Sequence, residues 1–220
     1  MVSLGFAPNW FSYQSIIFEL VFAIITLFVA FAAFRIYYLS KEKSAAWFGS
    51  GFLFFSISYI LQSILNIGIL FRLSETVDII GKAREVINLG ITAQNLHMIL
   101  MITGLVIIAH ISMKSKSLRN LLLLLAVTLT PMYFSHHPIF LFFMLSSILL
   151  GFITLSYLFN YLERKRFNTY LVFSAFLLLF LSNVLFIFSM QSTIFYVIAH
   201  FFELFSYLLM LINLTMCLKK

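Results

Sequence analysis

Apolar residues fill seven long runs in this chain, and the polar positions between them are few and clustered. The runs cover residues 12–38, 45–71, 89–112, 118–134, 138–162, 167–190 and 192–218. A membrane-crossing helix needs about 20 predominantly apolar residues. Six runs meet this comfortably, and the fourth is shorter and interrupted by Pro131. The pattern predicts an all-α polytopic membrane protein of seven transmembrane helices in a single domain, 1–220. The segment 72–88 has a different rhythm. Val77, Ile80, Ala83, Val86 and Ile87 recur at helical spacing with charges between them, which predicts an amphipathic helix at the outer interface between spans two and three.

The loops carry charge unequally. Arg35, Lys41, Lys43, Lys114, Lys116 and Arg119 fall on one side, as do Arg164, Lys165, Arg166, Lys219 and Lys220. The other side holds only Arg72, Lys82 and Arg84, offset by Glu75, Asp78 and Glu85. Positive charge collects in cytoplasmic loops, so the N-terminus is expected outside and the C-terminus inside a cell membrane. An even number of spans would break this partition. No positive charge precedes the first apolar run, so that run is expected to remain as a span and not be cleaved as a signal peptide.

Composition agrees: 63% of residues are hydrophobic and 10% charged, against roughly half and a quarter in soluble domains. The net charge of +7 resides in short inter-helix loops, which argues against nucleic acid as a partner. The single cysteine, Cys217, allows no intrachain disulfide and reads as a small apolar residue at a helix end. His136 and His137 read as a solvated outer turn.

Spans one to three resemble spans five to seven. Phe52–Leu61 aligns with Phe176–Leu185, placing Ser50 on Ser174 and Lys41 on Lys165, while Leu96-His97 matches Ala199-His200. This predicts a 3+1+3 parallel repeat, with binding sites at the interface of the halves. The plan resembles that of the small sugar-transporter (SWEET) and PQ-loop families. Their first-helix proline has no counterpart inside spans one and five, since Pro138 only opens span five.

Ionisable residues at membrane depth are costly and are functional candidates by default. Glu19, His97, His200 and Glu203 lie in the outer halves of their spans, with Asn66 and Asn183 at similar depth. Tyr196, His200, Glu203 and Tyr207 form one helical stripe, and Tyr59, Gln62, Ser63 and Asn66 another. Asn66, Asn95 and Asn183 suit interhelical hydrogen bonding. The acids and histidines suit shared protons or a bound ion. Glu19, His97, His200 and Glu203 would also make an N2O2 metal set, and His97 and His200 could flank a haem, with Gly104 leaving room for the ring. Neither a multi-histidine zinc site of intramembrane hydrolases nor a retinal-binding lysine within span seven is present, and no catalytic set is expected.

Two segments, Ser15-Ile-Ile-Phe-Glu19-Leu-Val-Phe and Ala199-His200-Phe-Phe-Glu203-Leu-Phe-Ser-Tyr207-Leu-Leu, resemble MASE-type and seven-helix N-terminal membrane sensor domains of prokaryotic signalling proteins. The resemblance implies perception of a small stimulus, with Glu19 and His200 in the pocket, and a separate output partner, cytoplasmic or membrane-bound. Gln62 and Asn66 stand where an acid and a histidine would be expected. The expectation is therefore a receptor- or sensor-like protein whose outward-facing polar pocket binds a small ligand, ion or proton. A proton-coupled transporter of 3+1+3 plan and a haem- or metal-binding membrane protein are the alternatives.

Overall fold

A computed structural model of the chain describes residues 11–74, 79–114, 117–189 and 191–218. Among the described residues there are seven helices: α1 (Ser12–Ser40), α2 (Lys43–Ser74), α3 (Ile79–Ser112), α4 (Leu118–Phe134), α5 (Pro138–Arg164), α6 (Phe167–Phe188) and α7 (Thr193–Leu218). Six are long and apolar enough to cross a membrane, and α4, with 17 residues, falls short of them. The chain is thus an all-helical, multi-pass membrane bundle.

Local sequence sets the helix ends. Pro138 opens α5 at a position where its missing N–H costs no hydrogen bond. Lys41 and Lys165 close α1 and α5 in the left-handed conformation, with φ of 57° and 48°, each donating its N–H to the carbonyl of a tyrosine one turn back, Tyr37 and Tyr161. The predicted separate amphipathic helix at 72–88 is not formed. Its first residues complete α2 and residues 79–88 are the first turns of α3, while 75–78 lie outside the described residues. The helical spacing was real, but a helical segment next to a span can continue it without a break.

Packing follows a ring. α1 touches α2 and α7, α2 touches α3, α3 touches α5, α5 touches α6, and α6 touches α7. α4 stands outside this ring, against α3 and α5. The outer surface is apolar, with Ile17, Ile24, Phe28 and Phe31 of α1 and Leu122, Leu123 and Val127 of α4 exposed, as lipid contact requires.

Small residues bring the helices together. Ser56 of α2 donates to the Ala23 carbonyl of α1 at 2.9 Å, Ser182 of α6 to Ala199 of α7 at 2.9 Å, and Ser206 of α7 to Ala175 of α6 at 2.7 Å. Where lipid is as apolar as the core, such close backbone approach is a main source of association. The tightest crossing is between Gly51 and Gly104, where a Cβ on Gly104 would lie 2.5 Å from Phe55 and 2.7 Å from the Gly51 carbonyl. Gly104 therefore serves the α2–α3 contact, with Phe55 packed directly against it.

Gly104→Val is expected to destabilise the bundle by about 1–3 kcal/mol through overpacking. Gly68→Ala, where a Cβ meets nothing within 4 Å, is expected to be neutral or slightly stabilising. Thermal unfolding of both variants in one detergent checks the contrast.

Candidate functional site

Glu19 sits about two turns into α1 and Glu203 about three turns into α7. Both are buried, at 9% and 6% exposure. A buried carboxyl must find donors or remain a large cost. Asn66 of α2 meets both oxygens of Glu19, its Nδ2 lying 3.0 Å from each. Glu203 accepts from the Tyr59 hydroxyl of α2 and from the Tyr207 hydroxyl, one turn along its own helix, at 3.2 Å. The two phenol oxygens are themselves 2.9 Å apart. Neither carboxyl is paired with Lys or Arg among the described residues.

The two histidines are held separately. The His200 Nδ1 lies 2.9 Å from the Tyr196 carbonyl. A carbonyl only accepts, so Nδ1 carries the hydrogen and Nε2 of the neutral ring is left as an acceptor. His97 Nδ1 lies 2.8 Å from Ser58 Oγ, and the same hydroxyl donates to the His97 carbonyl at 3.0 Å. A serine has one proton. With that proton on the carbonyl, Nδ1 of His97 is the donor and its Nε2 is likewise free to accept. His200 is also enclosed by aromatic rings, with Phe11, Phe18, Phe22, Phe186 and Tyr196 at centroid distances of 4.5–6.0 Å.

These groups surround one cavity of about 110 Å³. Its polar wall comprises Glu19, Gln62, His97, Asn183, His200 and Glu203, with Gln94 beside them. Its apolar wall is mostly aromatic: Phe22, Tyr59, Phe142, Phe143, Phe186 and Tyr196. Each ring helix contributes, and α4 does not. Tyr207 lines a much smaller adjoining cavity with Glu203, Asn183 and Ser146.

Of the residues singled out by sequence, Glu19, His97, Asn183, His200 and Glu203 line the cavity, Asn66 holds Glu19, and Tyr207 holds Glu203. Their pairing differs from expectation. No carboxyl–imidazole hydrogen bond is formed among them, because Asn66, Tyr59 and Tyr207 already occupy the acids. Asn66 does bridge two helices, but Asn183 donates to Leu179 of its own helix at 3.2 Å, and Asn95 is exposed. Among the described residues no three His, Cys, Asp or Glu side chains are grouped so as to hold a metal ion. The four proposed N2O2 ligands therefore do not assemble. Tyr59, Gln62 and Tyr196 sit on the polar stripes of α2 and α7, yet nothing in the stripe alone marks Tyr59 as the donor that reaches Glu203 across the ring.

A second opening lies at the other end of the bundle. It measures about 370 Å³ and is lined by Lys114, Arg164, Glu42, Asn160, Asn168 and Asn213, among others. Asn213 is 5% exposed and its Oδ1 has no partner. Between the two cavities the interior is closed by fully buried Phe52, Phe55, Phe176, Tyr207 and Met210.

No protein-family model, curated protein or solved structure matches this chain, so its function is read from its own geometry.

Asn66→Ala leaves Glu19 without its amide donor. A loss of about 1–2 kcal/mol is expected, in the range of interhelical hydrogen bonds in membranes. Asn66→Gln should restore part of it, and thermal unfolding of the three proteins in detergent measures both effects.

Proposed function

We propose that this chain is a seven-span receptor- or sensor-type protein, N-terminus outside, whose cavity in the outer half binds a small ligand, ion or proton. One observation carries the proposal: one cavity draws on all six ring helices and contains two carboxyls that have no basic partner among the described residues. Such carboxyls can hold or exchange protons, and the space beside them admits a solute. Any change at this cavity acts on every helix of the ring at once. Signalling then needs only a ligand that favours one helix arrangement over another. The basic end, with Lys114 and Arg164 at its opening, is where a separate output protein would read the change.

A proton-coupled transporter is the second reading, favoured by the symmetry of the ring. Exchanging α1 with α5, α2 with α6 and α3 with α7 maps the ring of contacts onto itself. The same exchange maps the Lys41 cap, bonded to Tyr37, onto the Lys165 cap, bonded to Tyr161. It also places Ser58, bonded to the backbone at His97, on Ser182, bonded to the backbone at Ala199, one residue before the matching His200. These correspondences support the 3+1+3 repeat, with α4 as the linker outside the ring. Two cavities on one axis, separated by an aromatic and methionine plug, suit alternating access between like halves.

Accessibility decides between the two. In an Asn183→Cys, Cys217→Ser protein, a small membrane-impermeant methanethiosulfonate reagent is applied to right-side-out and inside-out vesicles. A receptor is expected to label from the outside only, and a transporter from both sides at comparable rates. Labelling from the inside alone would overturn the proposed orientation and the outward-facing cavity.

A further inference from the structure

The cavity is rich in acceptors, and its amide donors come from Gln62, Gln94 and Asn183. The carboxyls of Glu19 and Glu203 have no basic partner among the described residues. The Oε1 of Gln62, which lines the same cavity, is buried with no hydrogen-bond partner. His200 turns its Nδ1 hydrogen to the Tyr196 carbonyl, so its neutral ring presents only Nε2 as an acceptor. His97 does the same when Ser58 gives its proton to the backbone. A ligand that brings both hydrogen-bond donors and positive charge would complement the two carboxyls and the open acceptors at once.

The aromatic lining narrows the class further. Phe22, Tyr59, Phe142, Phe143, Phe186 and Tyr196 present aromatic rings to the space. Ring faces attract alkylated ammonium groups more effectively once water is excluded, whereas a small metal cation needs several oxygen ligands gathered closely around it. Size sets the upper limit. At about 110 Å³ the cavity is smaller than the engineered cavity of about 150 Å³ that holds benzene. That leaves room for a ligand of about five heavy atoms or fewer.

We infer that the cavity takes a small protonated amine, either ammonium or a short alkylammonium ion, with its N–H groups toward Glu19, Glu203 and Gln62 and its carbons toward the aromatic wall. The inference rests on the proposal that this cavity is a solute site, and it names the solute class. The basic-end opening, with Lys114 and Arg164, has the opposite character and would not hold the same ion.

The test uses the full chain in nanodiscs of zwitterionic lipid. Methylammonium chloride is titrated while binding heat and melting temperature are followed, beside potassium chloride at matched ionic strength and tetraethylammonium as an oversized cation. Saturable methylammonium binding is expected, at least tenfold tighter than potassium, with no binding of tetraethylammonium. Glu203→Gln and Glu19→Gln should each weaken it at least tenfold, with helical content unchanged by circular dichroism. Should either fail to fold, Gln62→Leu supplies the same test, since its buried oxygen has no bond to lose, and a severalfold weakening is expected. Equal response to potassium overturns the amine in favour of an alkali cation. Binding unchanged in these variants places it elsewhere and also overturns the inference. No methylammonium response while the Asn183→Cys protein still labels from outside removes the amine alone. No response and no labelling removes the solute site as well.

Discussion

Two carboxyls buried in a bundle that lies in hydrocarbon must be supplied with donors, and α2 supplies them to both. Asn66 reaches Glu19 on α1, and Tyr59 reaches Glu203 on α7. α2 and α7 are not neighbours in the ring; they meet through long side chains, Phe52 and Tyr59 against Tyr207 and the Tyr59 hydroxyl on Glu203, that reach across its inside. α2 is fixed in turn against α3 by the Gly51–Gly104 crossing, where the backbone approach leaves no room for a side chain. The cavity lies where it does because one rigidly seated helix carries both donors. An unsatisfied polar group in hydrocarbon costs several kcal/mol, so the acids and their partners on α2 act as one unit.

The ring is symmetric in its packing and asymmetric in its chemistry. α1 and α7 bring the acids and α2 their donors, while α5 and α6 bring Phe142, Phe143, Phe186 and only one amide, Asn183. Aromatic rings come from both sides, since Phe22, Tyr59 and Tyr196 of the acid- and donor-bearing helices line the same cavity. The histidines of α3 and α7 have unlike surroundings. His200 is enclosed by aromatic rings, and His97 is bound to Ser58.

The helices were legible in the sequence because lipid imposes a length and a composition that few other structures satisfy. The runs 118–134 and 138–162 reappear as α4 and α5 with ends shifted by no more than a few residues. The acids and histidines were legible because charge at membrane depth is rare. Their partners were not. Asn66 and Tyr59 share a stripe on α2, but a stripe specifies only a helix face; which neighbour it meets depends on the ring order. That order is set by small residues such as Gly51, Gly104, Ala175 and Ser206, which look ordinary within apolar sequence. The segment 72–88 was misread for a related reason: amphipathic spacing reports a helix with two unlike faces, and says nothing about whether that helix lies on the membrane or continues a span.

Glu203 also connects the cavity to the plug beneath it. A ligand that takes the Glu203 carboxyl must share or displace the hydroxyls of Tyr59 and Tyr207, which are its present donors. The Tyr207 ring is fully buried and packs edge-on against Phe22 and Phe52. Phe52 in turn meets Phe48 and Phe55 of the same helix, and Phe48 packs against Phe176 of α6. Close-packed interiors shift between discrete arrangements more readily than they deform continuously. Releasing the Tyr207 and Tyr59 hydroxyls from Glu203 therefore loosens polar restraints on an aromatic stack that runs from the acidic cavity toward the basic end. A receptor would use that release to reshape its basic loops, and a transporter would use it to open the plug. On either proposed reading the Glu203 hydrogen bonds would be the switch, and a solute that competes for them would be what it responds to.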